Sequence, residues 1–292
     1  MRVLVTGARG YVGSALVPCL REEGHEVLEN DIGVYGQDLT GVLTREEAMR
    51  RLGELDAVVM LAALAHDPSH RLRGELILEH TWGQPVDLFD AAMARGVQRI
   101  VVLSSMSVFA SEGVYPHAKR HLESDILRRP GWFRRVTILR PGTIWGATAH
   151  LPPVRFRSHL LLNSMVRTAV LDGWIDIRGS RNQVRPVAHL WGVLNAIMSA
   201  LAPGATTGVI RNVIDSTHTI GEFAAALSDR YGAPIYDCDG PQDTRSYGTS
   251  DGPEWRLPLT IEYLASWIHR NAGLISADGG MGALYEWAEK QK

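Results

Sequence analysis

Tyr115 and Lys119 lie four residues apart in the run Tyr115-Pro-His-Ala-Lys119, a short distance after the hydroxyl-bearing run Ser104-Ser105-Met106-Ser107. On a helix, side chains at i and i+4 share a face, so this spacing brings a phenol and an ammonium together. The chemistry open to such a pair is proton transfer at a hydroxyl or carbonyl oxygen. A free phenol, with a pKa of ~10, is a poor acid or base at neutral pH. A neighbouring ammonium favours the phenolate and brings that value toward the working range. A serine hydroxyl at the end of an adjacent parallel strand can hydrogen-bond the same substrate oxygen. The Tyr-x-x-x-Lys spacing is common in proteins at large, so its weight depends on what surrounds it.

The surroundings begin at the other end of the chain. Thr6 to Gly13 read TGARGYVG, with glycines at 7, 10 and 13 directly after the apolar run 2–5 and directly before an amphipathic helical pattern in which Val12, Leu16, Cys19 and Leu20 recur. Strand, glycine turn and helix in that order suit a dinucleotide. Gly7 permits the tight turn, Gly10 lets the backbone approach a pyrophosphate, and Gly13 allows close packing of helix on strand. The helix N-terminus directs free N–H groups at the phosphates. A second strand, 25–28, leads to Asp31, whose carboxylate is placed to accept from ribose hydroxyls and to repel a 2′-phosphate; Ile32 follows. Arg9, inside the glycine turn, can reach a 2′-phosphate and points the other way. NAD(H) is favoured, with NADP(H) as the alternative. With a dinucleotide nearby, Ser105, Tyr115 and Lys119 become a coherent hydride-transfer site.

Further apolar runs at 57–61, 100–103 and 136–139 alternate with helical patterns near 44–52, 84–95 and 116–129. Strands separated by helices imply right-handed parallel crossovers and an α/β fold with a doubly wound parallel sheet. After residue 150 the rhythm changes to a Pro-Pro turn, a helix near 159–171, a short strand at 174–177 and a buried helix at 188–201. A strand at 209–213 returns to the sheet, and a helix follows at 220–231. The polar stretch 240–252 reads as a surface loop, and the glycines at 279, 280 and 282 interrupt structure before a final short helix. The expected division is a dinucleotide-binding domain at 1–150, with return segments near 183–213, and a mainly substrate-binding region at 151–292.

Bulk properties narrow the function. At 292 residues the chain can bury a sizeable core. A net charge of −2, with both signs dispersed, offers no basic stripe for nucleic acid. The two cysteines, Cys19 and Cys238, are far apart and lack metal-ligand spacing, as expected in a reducing compartment. The histidines, including His66 and His70, show no metal spacing either, so no metal is expected. The stretch 187–210 lacks charged residues, but Gly192, Asn195, Pro203 and Gly204 divide it below the length of a bilayer span. A strand starting at residue 2 leaves no room for a signal peptide, and a soluble, cytoplasmic protein is expected.

These features together resemble the extended short-chain dehydrogenases/reductases, the nucleotide-sugar epimerases, dehydratases and ketoreductases, over nearly the whole chain. TGARGYVG is similar to that family's TGxxGxxG, and Asp56-Ala-Val-Val-Met-Leu-Ala-Ala63 to its D-x-V-x-H-L-A-A strand. Ser104-Ser105-Met-Ser-Val-Phe109 resembles S-S-x-x-V-Y, and Leu139-Arg140-Pro141-Gly-Thr-Ile-Trp-Gly146 resembles L-R-P-x-x-V-Y-G. The resemblance implies a Rossmann-like fold with a smaller C-terminal substrate-binding region, and Ser105, Tyr115 and Lys119 as the catalytic trio. It implies cofactor contacts from the turn (Gly7, Arg9, Gly10, Tyr11, Val12, Gly13) and from Asp31, with Asp38 and Leu39 near adenine. Leu61, Ala62, Ala63, Lys119 and Pro141 would complete that set. Position 80 is His where the family usually has Asn.

The same resemblance bears on substrate and reaction. Gln183-Val-Arg185-Pro-Val-Ala-His189 is similar to the family's Q-x-R-x-F-x-H segment, and Asp243-Thr-Arg245-Ser-Tyr247 to a second region whose arginine reaches a diphosphate. Arg185 and Arg245 are therefore candidates for a nucleotide-sugar diphosphate, since guanidinium forks match phosphate oxygens. Trp191-Gly192 replaces the acidic pair that normally follows the first segment. Ser107 and His159 fall where the family contacts the sugar, His159 resembling a proton donor that is elsewhere paired with a cysteine at the place of Ser107. Met106 and Ser107 also stand where a 4,6-dehydratase carries Asp-Glu, which disfavours dehydration. The interval between Phe109 and Tyr115 is short for the family, so the pocket is either more open or completed by another segment or subunit. The expected function is NAD(P)-dependent oxidoreduction at a ring carbinol or ketone of a nucleotide-linked sugar, with an epimerase ahead of a 4-ketoreductase. A reductase or dehydrogenase of a non-nucleotide carbonyl, and a non-catalytic NAD(P)-binding sensor, are further alternatives. A homodimer is allowed by analogy with the family.

Overall fold

Continuous apolar runs in the first half become strands buried on both faces, as a parallel sheet covered by helices requires. The computed structural model describes residues 1–33, 39–64, 72–110, 112–238, 257–275 and 281–291. The first half runs β1 (Arg2–Thr6), α1 (Tyr11–Glu22), β2 (Glu26–Asn30), α2 (Arg45–Arg51), β3 (Ala57–Met60), α3 (Gly74–Leu78), α4 (Gln84–Ala94), β4 (Arg99–Leu103), α5 (Val114–Arg128) and β5 (Val136–Pro141). The remainder comprises β6 (Thr143–Trp145), α6 (Leu161–Arg167), β7 (Ile175–Arg178), β8 (Val184–His189), α7 (Leu190–Leu201), β9 (Val209–Val213), β10 (Ser216–Thr219), α8 (Ile220–Tyr231), β11 (Ile235–Cys238), α9 (Leu257–Asn271) and α10 (Met281–Glu289).

The main sheet has the order β2-β1-β3-β4-β5-β9, and the pairs β1/β2, β1/β3, β3/β4 and β4/β5 are all parallel. It is the Rossmann-like doubly wound sheet that the alternation of strand and helix patterns implies. Its core is built from Leu4, Val58, Ile100, Val102 and Ile138 on the strands, packed with Phe89 of α4 and Leu122 and Ile126 of α5. Two smaller sheets follow: β10-β8-β6, with β8 antiparallel to β10 and parallel to β6, and the parallel pair β11-β7.

Chain contacts divide the protein into two compact units. One comprises Met1–Arg140, Leu194–Asn212 and Met281–Lys292; the other comprises Pro141–Val193 and Val213–Gly280.

Local chemistry accounts for several element ends. α2 and α8 each open on a reciprocal capping box, Thr44 with Glu47 and Thr219 with Glu222, which satisfies two N–H groups otherwise left open. The helix expected near 188–201 begins at Leu190, because His189 is still paired in β8. The helix expected at 159–171 begins at Leu161, and its last turn widens over Thr168–Asp172. α3 and α4 join through a wide π-type turn at Glu79–Gly83, an irregularity that apolar periodicity does not reveal. The loop expected at 240–252 lies outside the described residues. No helix among the described residues is long and apolar enough to cross a membrane.

Candidate active site

β4 and α5 bring the catalytic candidates together. Lys119 is 2% exposed, and its Nζ donates to the carbonyl of Leu103, the last residue of β4, at 2.8 Å. This bond ties α5 to the strand end that carries the serines. Arg120, the next residue on α5, donates to the carbonyls of Val108 and Ala110, so the segment after the serines is fixed to the same helix. The Lys119 Nζ lies 5.8 Å from the centroid of the Tyr115 ring. Burial pushes the Lys119 ammonium down to about 8, and the Glu123 carboxylate one turn further along α5 partly offsets that fall.

The two adjacent serines take different roles. Ser104 is buried and donates to Glu123, whose oxygens also accept from Arg140 Nε of β5 at 2.9 and 3.2 Å. Ser105 is only half-buried, and its Oγ accepts the N–H of Ser107 at 3.0 Å, which leaves its O–H to be donated elsewhere. Ser107 is 7% exposed, and its hydroxyl has no hydrogen-bond partner among the described residues. A buried hydroxyl of this kind suits a ligand contact. Tyr115 packs against a cluster of Leu64, Leu72, Leu76, Ile77, Tyr285 and Ala288, the last two carried by α10. His80 lies in the wide turn; its ring meets Trp287 of α10 edge-on at 5.3 Å, and burial lowers its pKa.

The glycine turn is built as its motif implies. Gly7 has φ +67°, and a Cβ there would lie 2.9 Å from the Ala62 nitrogen; at Gly13 a Cβ would lie 2.2 Å from the Gly7 carbonyl oxygen. These two glycines let the turn fit against the end of β3 and let α1 fit against the turn. At Gly10, the N-cap of α1, an added Cβ would meet only the Gly7 carbonyl, which leaves room on the side where a pyrophosphate would approach. Thr6 Oγ1 accepts from the N–H groups of Leu61 and Ala62 at 3.2 and 3.3 Å, holding 61–63 beside the turn. Tyr11 and Val12 open α1 and are buried.

Asp31 just past β2 accepts the Arg9 N–H on Oδ2 at 2.9 Å and the Ile32 and Gly33 N–H groups on Oδ1 at 2.8 and 3.0 Å. A carboxylate has about four acceptor positions, so a ribose hydroxyl can still be bound. Leu39 is exposed, Asp38 lies outside the described residues, and Pro141 closes β5. Within the first unit, the open side of Gly10 and the acceptor positions left on Asp31 are compatible with a bound dinucleotide.

The substrate candidates Arg185 and His159 belong to the second unit, and Arg245 lies outside the described residues. Arg185 is 7% exposed on β8, opposite His218 of β10. His159 precedes α6 in a turn held by the fully buried Asn163, whose side chain accepts from the Gly146 N–H at 2.8 Å and donates to the Arg157 carbonyl at 3.1 Å. Asp215, between β9 and β10, accepts the His189 N–H at the start of α7. Its Oδ1 occupies the space 2.7 Å from where a Gly192 Cβ would lie. The negative charge at this helix N-terminus thus comes from a distant segment and not from positions 191 and 192. Asp215, Asn163 and Glu123 were missed in the sequence; only Glu123 left a local signal there, four residues after Lys119. Among the described residues, no group of His, Cys, Asp and Glu is arranged to hold a metal.

The model of the NAD dependent epimerase/dehydratase family matches residues 3–211, and the chain belongs to that family. The family's own description carries the cofactor, NAD. A dTDP-4-dehydro-6-deoxy-D-allose reductase from Streptomyces bikiniensis is 25% identical over 243 residues, covering 69% of this chain and 73% of the relative. Among solved structures, dTDP-glucose 4,6-dehydratase from Streptomyces venezuelae superposes with a TM-score of 0.79 at 19% identity, covering 94% of this chain and 99% of that one. The UDP-glucose 4-epimerase of Thermus thermophilus in complex with NAD superposes with a TM-score of 0.70 at 22% identity, covering 90% and 99%. At these identities the structural likeness shows the fold.

Proposed function

We propose that the protein is an NAD(H)-dependent oxidoreductase acting at a ring carbinol or ketone of a nucleotide-linked sugar, with epimerisation as its leading reaction. The observation that carries this is Lys119, buried, anchored to the end of β4 and one turn from Tyr115, with its pKa lowered to about 8. Bound NAD supplies the acceptor and donor of hydride. Tyr115 takes the hydroxyl proton as the carbonyl forms and returns it on reduction. The Lys119 cation lowers the cost of the phenolate, and the Ser105 O–H holds the substrate oxygen. Arg185 and Arg245 are assigned to the diphosphate, and Ser107 and His159 to the sugar.

Asp31 favours NAD over NADP, and a retained NAD that is reduced and reoxidised within one turnover suits an epimerase. The second reading is a 4-ketoreductase, favoured by two Streptomyces relatives described as dTDP-4-dehydro-6-deoxy-D-allose reductases. Native mass spectrometry of the freshly purified protein, followed by denaturation, separates them. Near-stoichiometric released NAD is expected. A protein that purifies empty and binds added NADPH in preference to NADH would overturn the epimerase reading in favour of a dissociable cosubstrate.

A further inference from the structure

Glu29 is a carboxylate inside β2, 6% exposed, and it faces two guanidinium groups. Its Oε2 lies 2.9 Å from Arg9 Nε and its Oε1 lies 2.8 Å from Arg21 Nη2 in the last turn of α1. Asp31 follows Glu29 by two residues, just past the end of β2. Asp31 in turn holds the Arg9 backbone N–H. Arg9 therefore stands where the adenosine ribose would meet β2, with its charged head turned back onto Glu29.

We infer that Glu29 is a specificity-determining residue for the cofactor, holding Arg9 away from a ribose 2′-phosphate so that the site discriminates against NADP(H). A buried carboxylate is stable only when paired, so Arg9 cannot turn to a phosphate without leaving Glu29 to Arg21 alone. Arg21 hydrogen-bonds Glu29 from a half-exposed place in the last turn of α1, whereas Arg9 Nε meets the carboxylate as an ion pair without hydrogen-bond geometry, so it is charge that holds Arg9 there. Discrimination then has two sources: repulsion by Asp31, and the withdrawal of the one arginine of the glycine turn. This rests on the assignment of a dinucleotide to the turn.

Binding of NADH and NADPH, measured by fluorescence titration, tests the clamp without reference to turnover. Glu29→Gln keeps the shape and removes the charge that holds Arg9. It is expected to raise NADPH affinity relative to NADH by about tenfold, the scale of one charge-assisted hydrogen bond. Asp31 remains in this variant, so a full reversal of preference is not expected. Adding Arg9→Ala to Glu29→Gln should cancel the gain, which separates release of Arg9 from simple loss of negative charge. Should Glu29→Gln fail to fold, Arg9→Ala alone decides. An unchanged NADPH:NADH ratio supports the clamp, and a loss confined to NADPH overturns it, because Arg9 would then already serve the phosphate. An unchanged ratio in a folded Glu29→Gln variant also overturns it. Failure of the wild-type protein to bind either dinucleotide would overturn the cofactor assignment itself.

Discussion

Burying an ammonium beside a phenol lowers the ammonium's own pKa and, while it is charged, favours the phenolate. For Lys119, Glu123 restores part of what burial removes. Its pKa falls from 10.5 to about 8 on folding, so between those values the unfolded chain holds a proton that the folded chain lacks. Unfolding free energy should therefore rise with pH across that window, whereas below it the cost of burying the charge is fully present. Urea unfolding of the wild type and Lys119→Met between pH 7 and 10.5 checks this. The gap between the two should change in the wild type's favour as pH rises, and a constant gap would contradict a buried charged lysine. Tyr115→Phe keeps the ring against Leu76 and Tyr285 but removes the transferable proton. Turnover should fall by about 10³-fold with NAD affinity unchanged. A variant of comparable activity would take Tyr115 out of the reaction.

At the level of elements, the start of α7 shows how one helix end draws on distant chain. Asp215 accepts the His189 N–H, and Gly192 leaves the space in which its carboxylate sits. Asp215→Ala should destabilise by about 1–2 kcal/mol, as loss of a helix-capping acceptor does. Gly192→Ala forces a methyl against the carboxylate and should cost more. The double variant should be less damaging than the sum, because the clash disappears with the carboxylate. Thermal or denaturant unfolding of the four proteins checks this, and strict additivity would show that the two positions do not meet. The same principle operates in α10, which brings Tyr285 and Ala288 onto the Tyr115 cluster from the far end of the sequence.

For the molecule as a whole, the candidate residues fall in both units. The first holds the glycine turn, Asp31, Ser105, Tyr115 and Lys119, and the second holds Arg185 and His159. If Arg185 meets a diphosphate, Arg185→Ala should raise KM for a nucleotide-sugar by about tenfold or more while leaving the NAD dissociation constant unchanged. Unchanged kinetics would remove the diphosphate from its role.

Local pattern alone was enough to read the alternation of strands and helices, the glycine turn and the Tyr-Lys pair. Each depends on residues within a few positions of one another: apolar period, turn stereochemistry, and i,i+4 neighbours on one helix. Asp31 was picked out for the same reason, at a regular distance after the turn, as a candidate ribose acceptor. The wide turn at Glu79–Gly83 was not, because an extra residue in a helix turn leaves little trace in apolar periodicity. The partners of the buried charges were not legible either. Arg9 pairs with Glu29 across 20 positions, Arg140 with Glu123 across 17, and the His189 amide with Asp215 across 26. Which buried carboxylate faces which donor follows from strand order and helix placement, and these are settled only when the sheet assembles. Sequence by itself named the candidate residues for the chemistry; the tertiary structure decided which charges and amides are paired around them, because pairing at a distance depends on the whole fold.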